Sequence, residues 1–245
     1  MPDETPTLSV IVTHKDSPDL PILRPSFEAT IGAQDSEFVP IVGAESIAKG
    51  YNQGVRQAKG KFFLFVHADV EIITPRLLMR GALQILEKPE AGVIGVAGSS
   101  LLNQTAIWWQ EGTRTLGACM HRDEQGCWYT VFGRGRYGRV VVLDGVFLLV
   151  SRATFEAVGG FDESLPSFHF YDIDFTLRVH LSGRANLAHP FHIVHASIGD
   201  VRPEVNPQWH KNRVAFQAKW QGILPVALET VVKVEPERLM GSYRT

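Results

Sequence analysis

A histidine and an aspartate stand two positions apart directly after a strongly apolar stretch, Phe62–Val66. On an extended backbone, side chains two positions apart point to the same side, so His67 and Asp69 can share one ligand. An imidazole together with a carboxylate suits Mn²⁺, whereas a lone carboxylate suits Mg²⁺ held mostly through phosphate and water. The pair therefore predicts a divalent-metal site, with a solvated turn after the strand as the alternative.

A second candidate group is formed by Tyr171 and Asp172, which open a predicted amphipathic helix over 171–181. An aromatic loop, 166–170, precedes this helix, so we expect Asp172 in a partly dry setting that can tune a carboxylate as a general base. Capping of the helix N-terminus is the alternative for the acids of the first turn, and we favour it for Asp174.

Three histidines follow one another in the segment 189–195. In an extended segment His189 and His195 share a face, whereas His192 points the other way. One metal ion cannot take all three without a bend in the chain. We therefore predict that His195, at the end of the segment, is the single ligand.

Size and composition limit the class of protein. The chain has 245 residues, of which 44% are hydrophobic and 20% charged, and its formal net charge is -2. These values suit a single globular domain with a large core, and they show no positive surplus for nucleic acid. The acidic N-terminus is not typical of a secretory signal, and no apolar run approaches the roughly 18 to 20 residues that span a bilayer. We therefore expect a cytoplasmic protein.

Apolar periodicity places these residues on secondary structure. Strands are predicted over 8–13, 38–42, 62–66 and 92–97, alternating with helices that begin near Pro25, begin after Ser46 and cover about 75–86. This alternation predicts an α/β fold with a mostly parallel, twisted central sheet flanked by helices. Thr13, His14 and Glu45 also follow predicted strands, so we expect them on the same rim of the sheet as His67 and Asp69.

The segment 99–139 differs in sequence pattern from the rest of the chain. Its apolar residues show no clear periodicity, and it contains the pair Trp108 and Trp109 and many glycines. We predict an irregular loop region here. Regular structure is predicted to return in two apolar runs, 140–143 and 146–150, which flank Asp144.

Seven segments, taken in order, carry a family resemblance: SVIVTHKD, SIAKGYNQGVRQAKGKF, FLFVHADV, DGVFLLVSRATFEAVGGFDE, FHFYDIDFTLR, IVHASIG and KWQGILP. Over roughly residues 8–225 the chain resembles the nucleotide-sugar-dependent glycosyltransferases of the GT-A fold, family 2. Within that family it is similar to a compact branch that includes streptomycin-cluster-type transferases.

The resemblance implies an inverting glycosyltransferase that moves a sugar from a nucleoside-diphosphate sugar to a saccharide or other hydroxyl acceptor. Asp172 matches the position of the catalytic base. Asp69 matches the second carboxylate of the family's Asp-x-Asp metal motif, and His67 replaces the first. His195 matches a late histidine that often completes the site for Mn²⁺ or Mg²⁺.

The resemblance also divides the chain and assigns contacts. It implies a single domain over 1–245, with a nucleotide-binding half over 8–98, the loop region over 99–139, an acceptor and catalytic half over 140–225 and a tail over 226–245. The residues expected at the nucleotide are Thr13, His14, Glu45, Asn52, His67 and Asp69. Those expected at the substrate are Trp108, Trp109, Asp144 and Tyr171.

Two other functions stay open. A sugar-phosphate nucleotidyltransferase would need a glycine-rich phosphate loop after the first strand, and the sequence after Thr13 has no glycine there. A non-catalytic domain that binds a nucleotide-sugar or a partner through the same rim is the other alternative, because the metal motif is altered.

Overall fold

The structure is a computed structural model that describes residues 6–17, 19–32, 35–165, 168–196, 206–230 and 236–243. Parts of the aromatic loop before Tyr171, of the matched segment IVHASIG and of the predicted tail over 226–245 lie outside the described residues. No helix within those described ranges is both long and apolar enough to cross a membrane.

The described residues form strands and helices in the following order. The strands are β1 (Leu8–His14), β2 (Ser36–Val42), β3 (Phe62–Val66), β4 (Val70–Ile72), β5 (Ala91–Gly95), β6 (Ala97–Ser99), β7 (Leu101–Leu102), β8 (Thr115–Asp123), β9 (Gly126–Phe132), β10 (Gly138–Val140), β11 (Val142–Leu143), β12 (Phe147–Ser151), β13 (Ala185–Ala188), β14 (Ile193–His195) and β15 (Val226–Ala227). The helices are α1 (Leu23–Thr30), α2 (Ile47–Gln57), α3 (Arg76–Leu86), α4 (Arg152–Ala157), α5 (Tyr171–Leu181), α6 (Pro207–Lys219) and α7 (Pro236–Leu239).

The central sheet is mixed rather than mostly parallel. Its strand order is β10-β13-β5-β12-β3-β1-β2. Strands β1, β2 and β3 pair in parallel, but β12 lies antiparallel between β3 and β5. The α/β prediction is thus confirmed. The orientation of β12 could not be read from its sequence, because a strand buried on both faces is uniformly apolar in either direction.

Helices cover both faces of this sheet because alternate strand residues point to opposite sides. Leu64 of β3 packs into a core cluster that includes Phe27 of α1. Phe65, its neighbour, packs into a second cluster against Tyr51 of α2, with the two ring centroids 4.9 Å apart. Ser46 caps α2 as predicted, accepting a hydrogen bond from the Lys49 amide.

Regular structure runs through much of 99–139, which corrects the prediction of an irregular region. Strands β8 and β9 form an antiparallel hairpin, and β8 also joins a second sheet of order β11-β6-β8-β14-β4. The hairpin escaped the sequence analysis because β9 alternates half-buried with exposed residues and carries few aliphatic side chains. In this sheet His195 of β14 pairs with His121 of β8 and with Val70 of β4.

A fully buried ion pair anchors α5. Asp174 and Arg178 have side-chain exposures of 0%, and Arg178 Nε donates to Asp174 Oδ2 at 2.8 Å. Trp220 Nε1 donates to the other carboxylate oxygen at 2.9 Å, and Lys219 Nζ lies 2.7 Å from it. Asp174 is therefore a buried junction between α5 and α6, and not the simple capping residue we predicted. The Arg178 guanidinium donates further to the carbonyls of residues 158, 160 and 239.

Replacing Asp174 with asparagine should lower the free energy of unfolding by about 3 kcal/mol, because it leaves the buried Arg178 charge uncompensated. Urea denaturation measures the loss. Glu87→Gln is the matched control, since Glu87 pairs with Lys61 at the surface, where side-chain exposures are 56% and 63%. That control should cost less than about 1 kcal/mol. Equal losses in the two variants would contradict the anchoring role of Asp174.

Candidate active site

Three metal-capable side chains meet at the end of β3. Strand β3 ends at Val66, and the chain turns so that the Val70 amide donates to the His67 carbonyl before β4 begins. Strand β14 pairs with β4 and sets His195 opposite Val70, next to this turn. One ligand atom from each of His67, Asp69 and His195 lies within 4.8 Å of the others. The sequence prediction that these three residues come together is thus met by the geometry.

The cluster has the donor set of a divalent-metal site. His195 Nε2 lies 3.4 Å from His67 Nδ1 and 3.4 Å from Asp69 Oδ1. Burial, together with repulsion from His195, holds the pKa of His67 below its usual range. A neutral imidazole is the form that binds metal, and two imidazole nitrogens with one carboxylate oxygen suit Mn²⁺. The residues present therefore fit the metal that the resemblance implies.

Tyr171 stands behind this cluster, at the first position of α5. Its hydroxyl lies 3.0 Å from His67 Nε2 and donates to the Gly145 carbonyl at 3.3 Å. The side chain is only 4% exposed. The polar atom of Tyr171 is therefore used inside the protein and its ring belongs to the core, whereas its contact with substrate stays a prediction.

Asp172 follows on α5 and faces the loop between β11 and β12. Its Oδ2 accepts a hydrogen bond from the Gly145 amide at 2.8 Å, and Oδ1 of Asp144 accepts one from the Val146 amide at 3.0 Å. Burial, with repulsion from the Asp144 carboxylate as the second cause, raises the pKa of Asp172 to about 7. A carboxyl group with this pKa can exchange a proton at neutral pH, which suits a general base.

The backbone at the start of α5 is unusual. Phe170, the residue before the helix, has a φ of 67°, in the left-handed region, and no side chain caps the helix. A non-glycine residue in this conformation is strained, and such strain is often found at functional sites. The Asp174 amide donates to the Phe170 carbonyl, so the first helical turn is formed despite the strained entry.

The residues predicted at the nucleotide have separate surroundings. Thr13 is half-buried, and its side chain lies against Gly50 of α2. His14 Nδ1 accepts from the amides of Asp16 and Ser17, at 3.1 and 2.9 Å, and so orders the turn after β1. Glu45 is largely exposed and pairs with Lys49 one helical turn later.

Asn52 makes structural hydrogen bonds inside the protein, and its assignment to the nucleotide stays a prediction. It is fully buried. Its amide group donates to the Phe161 carbonyl at 2.9 Å and to Glu163 Oε1 at 2.8 Å, and its oxygen accepts from the Phe161 amide at 3.0 Å. These bonds tie α2 to the segment after α4. The sequence pattern of α2 indicated that Asn52 was polar but gave no indication of this distant partner.

The two tryptophans predicted at the substrate differ in their surroundings, one being buried and the other exposed. Trp108 is 3% exposed and packs on Phe132, so its ring belongs to the core. Trp109 is 40% exposed, and its ring lies 6.1 Å from that of Trp209. An exposed indole beside a second aromatic ring remains available to stack on a ligand.

The sequence analysis missed two histidines near the cluster. The His121 ring lies 5.8 Å from that of His195 and stacks on Trp128 at 6.0 Å. His169, before α5, lies with its Nε2 3.1 Å from the Asn206 amide nitrogen. His121 was missed because the β8–β9 hairpin that carries it was not predicted. His169 was missed because its loop was considered only as the environment of Asp172.

Comparison with known sequences gives one family. A protein-family model described as "Glycosyltransferase like family" matches residues 28–209. Two curated relatives are similar: an uncharacterized protein, y4gI, of Sinorhizobium fredii, 25% identical over 180 residues, and "ATP synthase subunits region ORF 6" of Fuscovulum blasticum, 27% identical over 188 residues. These matches cover 69% and 71% of the chain, and the chain spans 19% and 66% of the relatives' own lengths.

Comparison with solved structures gives the same fold. The mannosyltransferase PcManGT from Pyrobaculum calidifontis, in complex with GDP-Man and Mn²⁺, has a TM-score of 0.53 and 14% identity, covering 89% of this chain and 66% of that one. GalNAc-T7 with UDP, GalNAc and Mn²⁺ has a TM-score of 0.56 and 11% identity, covering 90% and 49%. TarS 1-349 of S. aureus with UDP has a TM-score of 0.54 and 16% identity, covering 89% and 67%. At these identities the likeness shows the fold alone, and it confirms the predicted GT-A fold.

Alanine at Gly145 should disturb the site, because a Cβ there would stand 2.3 Å from the Tyr171 hydroxyl and 2.8 Å from Asp172 Cβ. Overpacking of this kind costs about 1–3 kcal/mol, measurable as a lower free energy of unfolding in urea. Gly81→Ala is the control, since Gly81 lies in α3 with nothing within 4 Å of the added carbon. That variant should gain up to about 1 kcal/mol from helix propensity. A neutral Gly145→Ala would contradict the close packing around Tyr171.

The Asp172 carboxyl group should titrate near neutral pH in the metal-free protein, because its pKa is raised to about 7. Carbon-13 NMR of labelled aspartate follows this directly. In Asp144→Asn one repulsive charge is removed, so the Asp172 titration should move to lower pH. An Asp172 carboxyl that titrates at the ordinary pKa of about 4 in the wild type would remove the electrostatic basis for its role.

Proposed function

The chain belongs to the glycosyltransferase-like family, and from that premise we propose that it transfers a sugar from a nucleoside-diphosphate sugar to an acceptor hydroxyl, with inversion at the anomeric carbon. The observation that carries the proposal is that the end of β3 and the start of α5 meet. The metal-capable His67 directly follows β3, and α5 begins with Tyr171, 3.0 Å from that histidine, and Asp172, whose pKa is raised to about 7. A general base and a metal-capable cluster therefore border one site.

The proposed role of His67, Asp69 and His195 is to hold Mn²⁺ or Mg²⁺ at the donor diphosphate. A bound divalent ion would supply positive charge that neutralises the departing nucleoside diphosphate. Of these two ions the donor set favours Mn²⁺, since two of the three ligands are imidazoles and Mg²⁺ takes oxygen ligands. Two of the similar solved structures contain Mn²⁺ together with a nucleotide or a nucleotide-sugar, which supports the assignment.

Asp172 is proposed to act as the base in a single displacement. The acceptor oxygen attacks the anomeric carbon while its proton passes to the Asp172 carboxylate. The bond between the anomeric carbon and the diphosphate oxygen breaks, and the nucleoside diphosphate leaves with that electron pair. The Gly145 amide, 2.8 Å from Asp172 Oδ2, fixes the direction of the carboxylate during this transfer.

Substrate contacts are proposed for residues on the same rim. Trp109 offers an exposed indole face to an acceptor sugar, and Asp144 lies beside Asp172 in the loop before β12. Thr13 and His14 end β1, at the strand ends where α/β folds bind nucleotides. Glu45 remains a proposed nucleotide contact at the surface. A cytoplasmic location also stays a prediction.

Replacing Asp172 with asparagine should abolish transfer while leaving nucleotide binding near the wild-type level, because asparagine keeps the shape and the hydrogen bond from Gly145 but cannot take the proton. Binding of UDP, GDP, dTDP, CDP and ADP, each with and without Mn²⁺, is measured by calorimetry. Turnover is then measured with sugars of the nucleotide that binds, against a panel of hydroxyl acceptors.

Asp123→Asn is the matched control, because Asp123 is exposed in the β8–β9 turn, where its Oδ1 accepts from the Gln125 amide. It should keep full turnover. Retained turnover in Asp172→Asn would remove Asp172 from the role of base. Metal-dependent nucleotide binding without transfer to any acceptor would favour the alternative, a non-catalytic nucleotide-sugar-binding domain. The observation that favours this alternative is that the metal-capable cluster has only one carboxylate.

A further inference from the structure

The Tyr171 hydroxyl connects the metal-capable cluster to the loop that holds Asp172. Its oxygen lies 3.0 Å from His67 Nε2 and 3.3 Å from the Gly145 carbonyl oxygen. The other ring nitrogen of the same histidine, Nδ1, lies 3.4 Å from His195 Nε2, on the side where the three ligand atoms converge. The two nitrogens of His67 thus face different partners with different requirements.

Which of these groups donates and which accepts a hydrogen bond follows from the chemistry of each group. The Gly145 carbonyl can only accept, so the single hydroxyl proton of Tyr171 is directed to it. A phenol hydroxyl, whose ordinary pKa is about 10, keeps its proton at neutral pH. Its oxygen is then an acceptor, and the arrangement is complete when His67 Nε2 carries a proton. A neutral histidine protonated at Nε2 has its lone pair on Nδ1.

We propose that Tyr171 is a positioning residue that holds His67 in the Nε2-protonated tautomer and so directs the Nδ1 lone pair to the cluster formed with Asp69 and His195. The proposal rests on the proposed function only for the identity of the metal ligands. The tautomer is a property of the metal-free protein. In this role Tyr171 acts through His67 and does not contact substrate.

The packing of Tyr171 supports a fixed hydroxyl position. Its ring lies 5.8 Å from the rings of both Tyr51 and Phe161, in the core beside α2. At the hydroxyl end, the backbone of Gly145 approaches so closely that a Cβ would stand 2.3 Å from the hydroxyl oxygen. The side chain is therefore held at its ring and at its hydroxyl, which restricts movement of the oxygen.

Gly145 connects the proposed metal site to the proposed general base. The Gly145 carbonyl accepts from Tyr171, while its amide donates to Asp172 Oδ2 at 2.8 Å. One glycine thus orients both the histidine on the metal side and the carboxylate on the acceptor side. Groups that orient metal ligands through their second hydrogen bond typically contribute 10- to 100-fold to metal affinity.

The tautomer is measured by long-range proton–nitrogen NMR on protein with ¹⁵N-labelled histidine at about pH 8, where histidine is neutral. The His67 signals are assigned by their loss in His67→Gln. We expect the wild type to show His67 protonated at Nε2 and Tyr171→Phe to show a mixture of tautomers. The matched control is Tyr129→Phe, a residue of β9 that is 53% exposed, and it should leave the His67 signals unchanged.

Manganese affinity gives the second measurement, by electron paramagnetic resonance of free Mn²⁺ in a titration. We expect Tyr171→Phe to bind Mn²⁺ about 10-fold more weakly than the wild type or Tyr129→Phe. A wild-type His67 protonated at Nδ1, or a tautomer unchanged in Tyr171→Phe, would overturn the proposal. No Mn²⁺ binding by the wild type would instead count against the proposed metal site, and the NMR result would still decide the role of Tyr171.

Discussion

The buried carboxylate of Asp174 is the constraint on which the site depends. It is fully buried between Arg178 of its own helix and Trp220 and Lys219 of the segment that ends α6. Because a buried charge is stable only with its partners in place, this junction permits one rotation of α5. That rotation turns Tyr171 into the core and Asp172 toward Gly145. The position of the proposed base is thus set by an ion pair that takes no part in the chemistry.

The loop before β12 approaches the start of α5 closely and completes the site. Gly145 lies between Tyr171 and Asp172 and uses both of its backbone groups, the carbonyl for the hydroxyl and the amide for the carboxylate. Burial, and then repulsion from the neighbouring Asp144, raises the pKa of Asp172. Placing two carboxylates near each other at a partly buried site costs stability, and such costs are found where a reaction needs a base near neutral pH.

Particular residues show how much of this could be predicted. The alternation of strands and helices, the cap at Ser46 and the meeting of His67, Asp69 and His195 followed from periodicity and from residues placed after strands. Asn52 and Tyr171 were assigned to ligands because they lie in matched segments, and Trp108 because it is an aromatic residue of the predicted loop region. The structure gives all three to the interior, where their partners are distant in sequence.

The sequence by itself determined the fold class and the kinds of chemical group available, because hydrophobic periodicity and residue type are local properties of the chain. Only the tertiary structure decided which way β12 runs, which face of α5 is buried and which hydrogen bonds each polar group makes. Those choices depend on contacts between residues far apart in sequence. The hydrogen bond from Tyr171 to the Gly145 carbonyl is such a contact, across 26 positions, and the role we propose for Tyr171 depends on it.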